Sequence, residues 1–104
     1  MRPLSSAQLD RWRALDAEVV LVALADYAKR DGCYAPKKNS SSTRWHATVG
    51  SLDFELLLTG AKFWDTRENR GGCGALDLVM HLNRCDFRRA VTVLKKNQAI
   101  MSVS

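Results

Sequence analysis

The chain has 104 residues, 16 Lys+Arg against 11 Asp+Glu, a formal charge of +5 and a pI near 9.5. That length fits one domain with one core, and 46% hydrophobic with 26% charged residues argues against wholesale disorder. The longest unbroken apolar run, Val19 to Ala25, is far short of the roughly 20 residues a membrane span needs. The N-terminus runs into charge rather than into an apolar leader, so a cytoplasmic protein with no membrane partner is expected. Three cysteines, Cys33, Cys73 and Cys85, are too few and of the wrong parity for a disulfide framework. The basic excess admits nucleic acid as a partner without demanding it.

The first third predicts helix. Ser5 or Ser6 can cap it, Leu9, Trp12 and Leu15 recur at helical spacing, and Val19, Val22 and Tyr27 prolong the apolar face. Asp16 can instead cap a second helix, which would break the run there. Gly32 stops the segment, with Lys29 and Arg30 in its last turn.

The middle third predicts strands. Tyr34 opens a short one before Pro36, and Asn39 to Thr43 reads as a loop. Arg44 to Val49 alternates up to Gly50-Ser51. Leu52 to Leu56 sets its acids on one face and its apolar groups on the other. Thr59-Gly60-Ala61 turns the chain into a return strand, Lys62 to Asp65. The last third returns to helix. Gly71-Gly72-Cys73-Gly74 is a flexible entry to a helix over Ala75 to Asn83, which carries Leu76, Leu78, Val79 and Leu82. Asp86 caps a final helix with Phe87, Ala90, Val91 and Leu94 inward. The expected architecture is α+β: an N-terminal helix, a small antiparallel sheet of three to four strands, and two C-terminal helices. One domain spans residues 1–104, with its core at about 15–96 and flexible ends at 1–5 and 98–104.

Two basic surfaces stand out. Arg44, Trp45, Lys62, Trp64, Arg67 and Arg70 lie on the sheet and the loop beyond it, and Lys37 and Lys38 extend them. Rings and cations on a sheet suit single strands, because bases stack on rings while cations follow phosphates. Packing of Trp45 and Trp64 into the core is the competing reading; Trp12 is expected to pack. Gly71, Gly72 and Gly74 before a helix can free amide N–H groups for a phosphate, or simply let helix and sheet approach closely. The second surface, Arg84, Arg88, Arg89, Lys95 and Lys96, reads as a solvated helix face.

From Gly71 onward the pattern resembles the primase-type zinc-finger domain, the Cys-His-Cys-Cys ribbon of bacterial DNA primases. In that family a Cys-x-x-Cys-Gly turn leads to Gly-Asp, an apolar helix and a Ser-Phe-x-Glu-Ala-Val-x-x-Leu segment. Here Asp77 matches the aspartate, and Phe87, Ala90, Val91 and Leu94 match the last helix. The glycine run is similar to plasmid- and mobile-element-borne versions reading Gly-Gly-Gly-Ala-Ile-Asp-Leu. The likeness covers about residues 19–96, is good from 63 to 94, and is only topological before that. With Asp77 as anchor, the second pair of cysteines falls at Asn69 and Gly72, and only His46 stands where the first half should lie. Arg89 replaces the family's glutamate. The resemblance therefore implies a degenerate member without its metal: a module that binds single-stranded DNA in the replication or transfer of a mobile element. A primase or helicase would be its protein partner, and the catalytic primase domain is absent.

Rival readings are a protein–protein interaction module on the same scaffold, and a zinc or thiol site using Cys73, His81 and Cys85, completed by Cys33 or His46. His81 and Cys85 share a helix face, but no Cys-x-x-Cys pair exists. Neither a cofactor nor enzymatic activity is expected. Asp53, Glu55, Asp65 and Glu68 read as solvated strand carboxylates, not as a clustered metal site.

Overall fold

The computed structural model describes residues 6–33 and 42–97. Two short helices, α1 (Ser6–Ala14) and α2 (Ala17–Leu24), precede five strands: β1 (Tyr27–Arg30), β2 (Thr43–Val49), β3 (Leu52–Thr59), β4 (Lys62–Asp65) and β5 (Arg70–Cys73). Helices α3 (Ala75–Asn83) and α4 (Phe87–Lys96) follow. The strands form one antiparallel sheet in the order β1-β2-β3-β4-β5. The class is α+β, with five strands among the described residues where three to four were expected.

Alternation decides which side of the sheet is covered. Ala47, Phe54, Leu56, Leu58 and Phe63 fall on one face and are all buried. They meet Trp12 of α1, Val20 and Leu21 of α2, Leu78, Val79 and Leu82 of α3, and Ala90, Val91 and Leu94 of α4 in a single core. The other face carries Lys29, His46, Asp53, Lys62 and Trp64, all exposed, and no buried residue among those described. All four helices thus contribute to one layer.

The N-terminal helix is two helices. The break falls at Leu15 and Asp16, and Asp16 holds the N-cap position of α2 without a capping bond from its side chain. The run then ends earlier than expected. Tyr27, Lys29 and Arg30 lie in β1, not in a helix, and Val22 and Tyr27 are exposed. Their helical spacing loses to the backbone demand of β2, whose outer edge β1 satisfies through a ladder that Asp26 N–H begins at Thr48 O (2.9 Å). The flexible entry is likewise a strand: Arg70 to Cys73 pairs with β4. Phe87, in the first turn of α4, is half exposed rather than inward, whereas Ala90, Val91 and Leu94 enter the core. The expected strand at Tyr34, the loop from Asn39 to Ser41, Lys37, Lys38 and the flexible ends lie outside the described residues.

Local signals did place the remaining elements. Gly50 (φ 61°) and Gly60 (φ 57°) make the two tight β-turns in a conformation that favours glycine. Asp86 Oδ1 accepts the Arg89 N–H (2.9 Å), as an N-cap should. Leu56→Ala in the fully buried centre of β3 is expected to cost about 2–5 kcal/mol, whereas Leu52→Ala at the exposed strand start should change stability by about 0.5 kcal/mol or less. Urea unfolding of the two variants, read as midpoints at constant slope, checks the contrast.

Candidate nucleic-acid interface

Cross-strand register arranges the helix-free face in rows. Lys29, His46 and Glu55 form one row across β1, β2 and β3. Arg44, Leu57, Trp64 and Gly71 form the next, across β2 to β5. Thr59, Lys62 and Cys73 form a third, joined by Ser42, whose hydroxyl bonds that of Thr59 (2.7 Å). Arg67, in the turn after β4, reaches back over the first row to Glu55.

Trp64 and Gly71 make a specific pair. A Cβ placed on Gly71 would stand 2.7 Å from the indole Cε3 of Trp64 and 2.7 Å from Phe63 O. The ring therefore lies over the bare backbone of β5, a position that any side chain at residue 71 would deny it. Trp64 nevertheless remains 45% exposed, so the ring is both fixed and available. Around it, Ser42, Leu57, Thr59, Lys62 and Gly71 line a depression of about 480 Å³. Towards β1, a second depression of about 410 Å³ is lined by Lys29, Arg30, Arg44, His46 and Glu55.

Arg44, Lys62, Trp64, Arg67 and Gly71 thus share one face. Trp45 does not. It alternates with Arg44, is half-buried against the core, and donates its Nε1–H to Thr43 Oγ1 (3.0 Å). Arg70 pairs across from the inward-facing Asp65 and so belongs to the opposite side of the sheet. Gly72 also faces inward, where a Cβ would meet Phe63 Cε1 at 2.9 Å and Asp77 Cβ at 3.0 Å. Gly74 caps α3 at φ 97°. Two amides just before the expected phosphate seat are engaged within the chain: Cys73 N–H donates to Asp77 Oδ2 (3.2 Å) and Gly74 N–H to Ala61 O (2.9 Å). The Asp77 carboxylate already supplies the negative charge that this helix end favours.

Lys29 and His46 join the face unannounced, and Glu55 joins it as one of the expected strand-surface carboxylates. Lys29 was concealed by its helical spacing. His46 and Glu55 could have been found from strand parity, which sets both on the side of Arg44 and opposite Trp45. Glu55 sits between two guanidiniums, accepting from Arg44 Nη2 (2.8 Å) and Arg67 Nη2 (3.3 Å). Arg44, and after it Arg67, holds the Glu55 carboxyl below the usual glutamate range. Arg84 does the same for Glu68 through a two-pronged pair.

The thiols and His81 do not converge. Among the described residues, the one set of three potential metal ligands close together is Asp65, Glu68 and His81. Its oxygens are already used. Asp65 Oδ2 bonds His81 Nε2 (2.7 Å), Asp65 Oδ1 accepts from Arg67 N–H (2.9 Å) and Glu68 N–H (3.0 Å), and Glu68 engages Arg84. Burial, followed by the Asp86 charge, pushes the Cys85 thiol up and away from the thiolate that a nucleophile or zinc ligand requires. Cys73 is exposed on the other side of the sheet from His81.

Compared with protein-family models, curated proteins and solved structures, the chain matches none. No helix among the described residues is long and apolar enough to cross a membrane.

Two outcomes test this description. Asp65→Ala strands the buried His81 and two turn amides, and should cost about 3–5 kcal/mol in urea unfolding. Glu55 and Glu68 have lower pKa values folded than unfolded, so their contribution is present above the ordinary value of 4.5 and is lost as pH falls below it. Thermal midpoints of wild type and the Glu55→Gln, Glu68→Gln double variant, measured across that range, should converge at acid pH.

Proposed function

We propose that the helix-free sheet face binds single-stranded nucleic acid, with DNA as the preferred strand. The observation that carries this reading is the indole of Trp64, laid over Gly71 and open to solvent, in a row with Leu57 and Arg44 and flanked by Lys62 and Arg67. A base can stack on that ring irrespective of its identity, while the surrounding cations neutralise phosphates on either side. The action is positional: the surface holds a strand, and no side chain on it is assigned chemistry. Trp45, Gly72 and Gly74 are placed to support the fold rather than the strand, and Arg70 lies on the opposite side of the sheet. The likeness to primase-type zinc-finger domains favours a role in replication or transfer of a mobile element. A primase or helicase is the protein partner that this context suggests.

Binding to a labelled single-stranded oligonucleotide should weaken with salt, with a slope of roughly 0.7 per phosphate contact in the log–log plot. Affinity indifferent to salt would count against the reading. Trp64→Ala should weaken binding by about 1–3 kcal/mol, with circular dichroism confirming the fold. A folded variant that binds as well as wild type removes the stacking role.

A further inference from the structure

Glu55 is an unusual residue to find in the middle of a cationic face. It lies on β3, the central strand, with Lys29 and His46 along its row and Arg44 and Leu57 in the row beside it. It is only partly exposed, and the two arginines approach its two oxygens separately: Arg44 at Oε2 and Arg67 at Oε1. His46 Nδ1 stands 3.8 Å from Oε1. The site therefore places its one acid of this row where its cations converge, and spends two guanidiniums on it. A surface built only to attract phosphate would leave that position neutral or basic.

We infer that Glu55 is a specificity-determining residue: it excludes phosphate from the centre of the sheet and so selects strands that turn their bases, not their backbone, towards β3. The inference rests on the single-strand reading above. A duplex presents its phosphates outward, and seating it on this face would bring them against the carboxylate. The carboxylate takes up part of the charge of Arg44 and Arg67, so the centre of the face attracts phosphate less than those two arginines alone would. A single strand can rotate. With a base on Trp64, its phosphates run along the rims, where Lys29 and Lys62 are exposed. Its base edges then face Glu55, and an ionised carboxylate accepts hydrogen bonds from the exocyclic amines of bases. The charge that weakens attraction for a duplex and the acceptor that favours an exposed base come from one group, which builds a difference of affinities.

The test compares the full chain and its Glu55→Gln variant, which keeps side-chain size and removes the charge. Each is titrated with a labelled single-stranded oligonucleotide, the corresponding duplex, and heparin as a polyanion without bases, at two ionic strengths. Wild type is expected to prefer the single strand over duplex and heparin. In Glu55→Gln, duplex and heparin affinities should rise, and the single-strand to duplex ratio should fall about threefold or more. Two results overturn the inference while leaving the binding face standing. One is a wild type that holds duplex as tightly as single strand, a comparison that needs no variant. The other is a folded Glu55→Gln with an unchanged ratio or a parallel loss for all three ligands, which would make Glu55 only a brace for Arg44 and Arg67. A wild type that binds none of the three removes the single-strand reading itself, and this inference with it.

Discussion

A carboxylate with almost no access to water has to be met by donors, and Asp65 organises this molecule around that requirement. It ends β4 on the covered side of the sheet, 1% exposed, where an apolar residue would otherwise complete the core. His81 reaches it from α3, packed between the rings of Phe54 and Phe63. The amides of Arg67 and Glu68 reach it from the following turn. One side chain thus ties the helix layer to the sheet and sets the shape of the turn before β5. An unmet carboxylate at that depth would be costly, so these bonds specify how α3 and the turn sit as much as they stabilise them.

The consequence extends through the sheet to its other side. The turn that Asp65 caps is anchored again where Thr66 N–H donates to Glu55 O (3.1 Å), and it carries Arg67 over the open face to the Glu55 side chain. Glu68, in the same turn, points the other way and holds Arg84 at the C-terminus of α3. Interior order and surface charge are therefore set by neighbouring residues of one short segment. Binding on this face, as proposed, would benefit from such support, because side chains placed by paired strands and a capped turn have little freedom left to lose. The glycines contribute in the same spirit: Gly71 admits the Trp64 ring on one side of β5, and Gly72 admits Asp77 on the other.

Charge on this face is mixed rather than uniformly basic. Arg44 and Arg67 pair with Glu55, and Lys29 and Lys62 share its face, while Asp53 lies towards the β2–β3 turn beside Thr48, which donates to it. The net charge of +5 is thus a poor guide to where an anionic partner would lie. The proposals for strand binding and for the role of Glu55 both rest on this mixed arrangement.

Local pattern alone determined much of this protein. Asp86 as an N-cap, the glycine turns at residues 50 and 60, the alternation through β3 and the apolar spacing of α3 and α4 each express a preference a few residues long, and each could be read directly. Parity even held the answer for Trp45, since a residue adjacent to Arg44 in a strand must face the other way. Tertiary structure decided what depends on partners distant in the chain. Tyr27 to Arg30 became a strand because β2 needed an edge partner, and the glycine run became β5 because β4 offered a ladder. Asp65 became a buried hinge of the design because His81, 16 residues away, comes to meet it. The gathering of Lys29, Arg44, Glu55, Trp64 and Arg67 on one surface follows from register, and register is set by pairing across strands, which no short window of sequence contains.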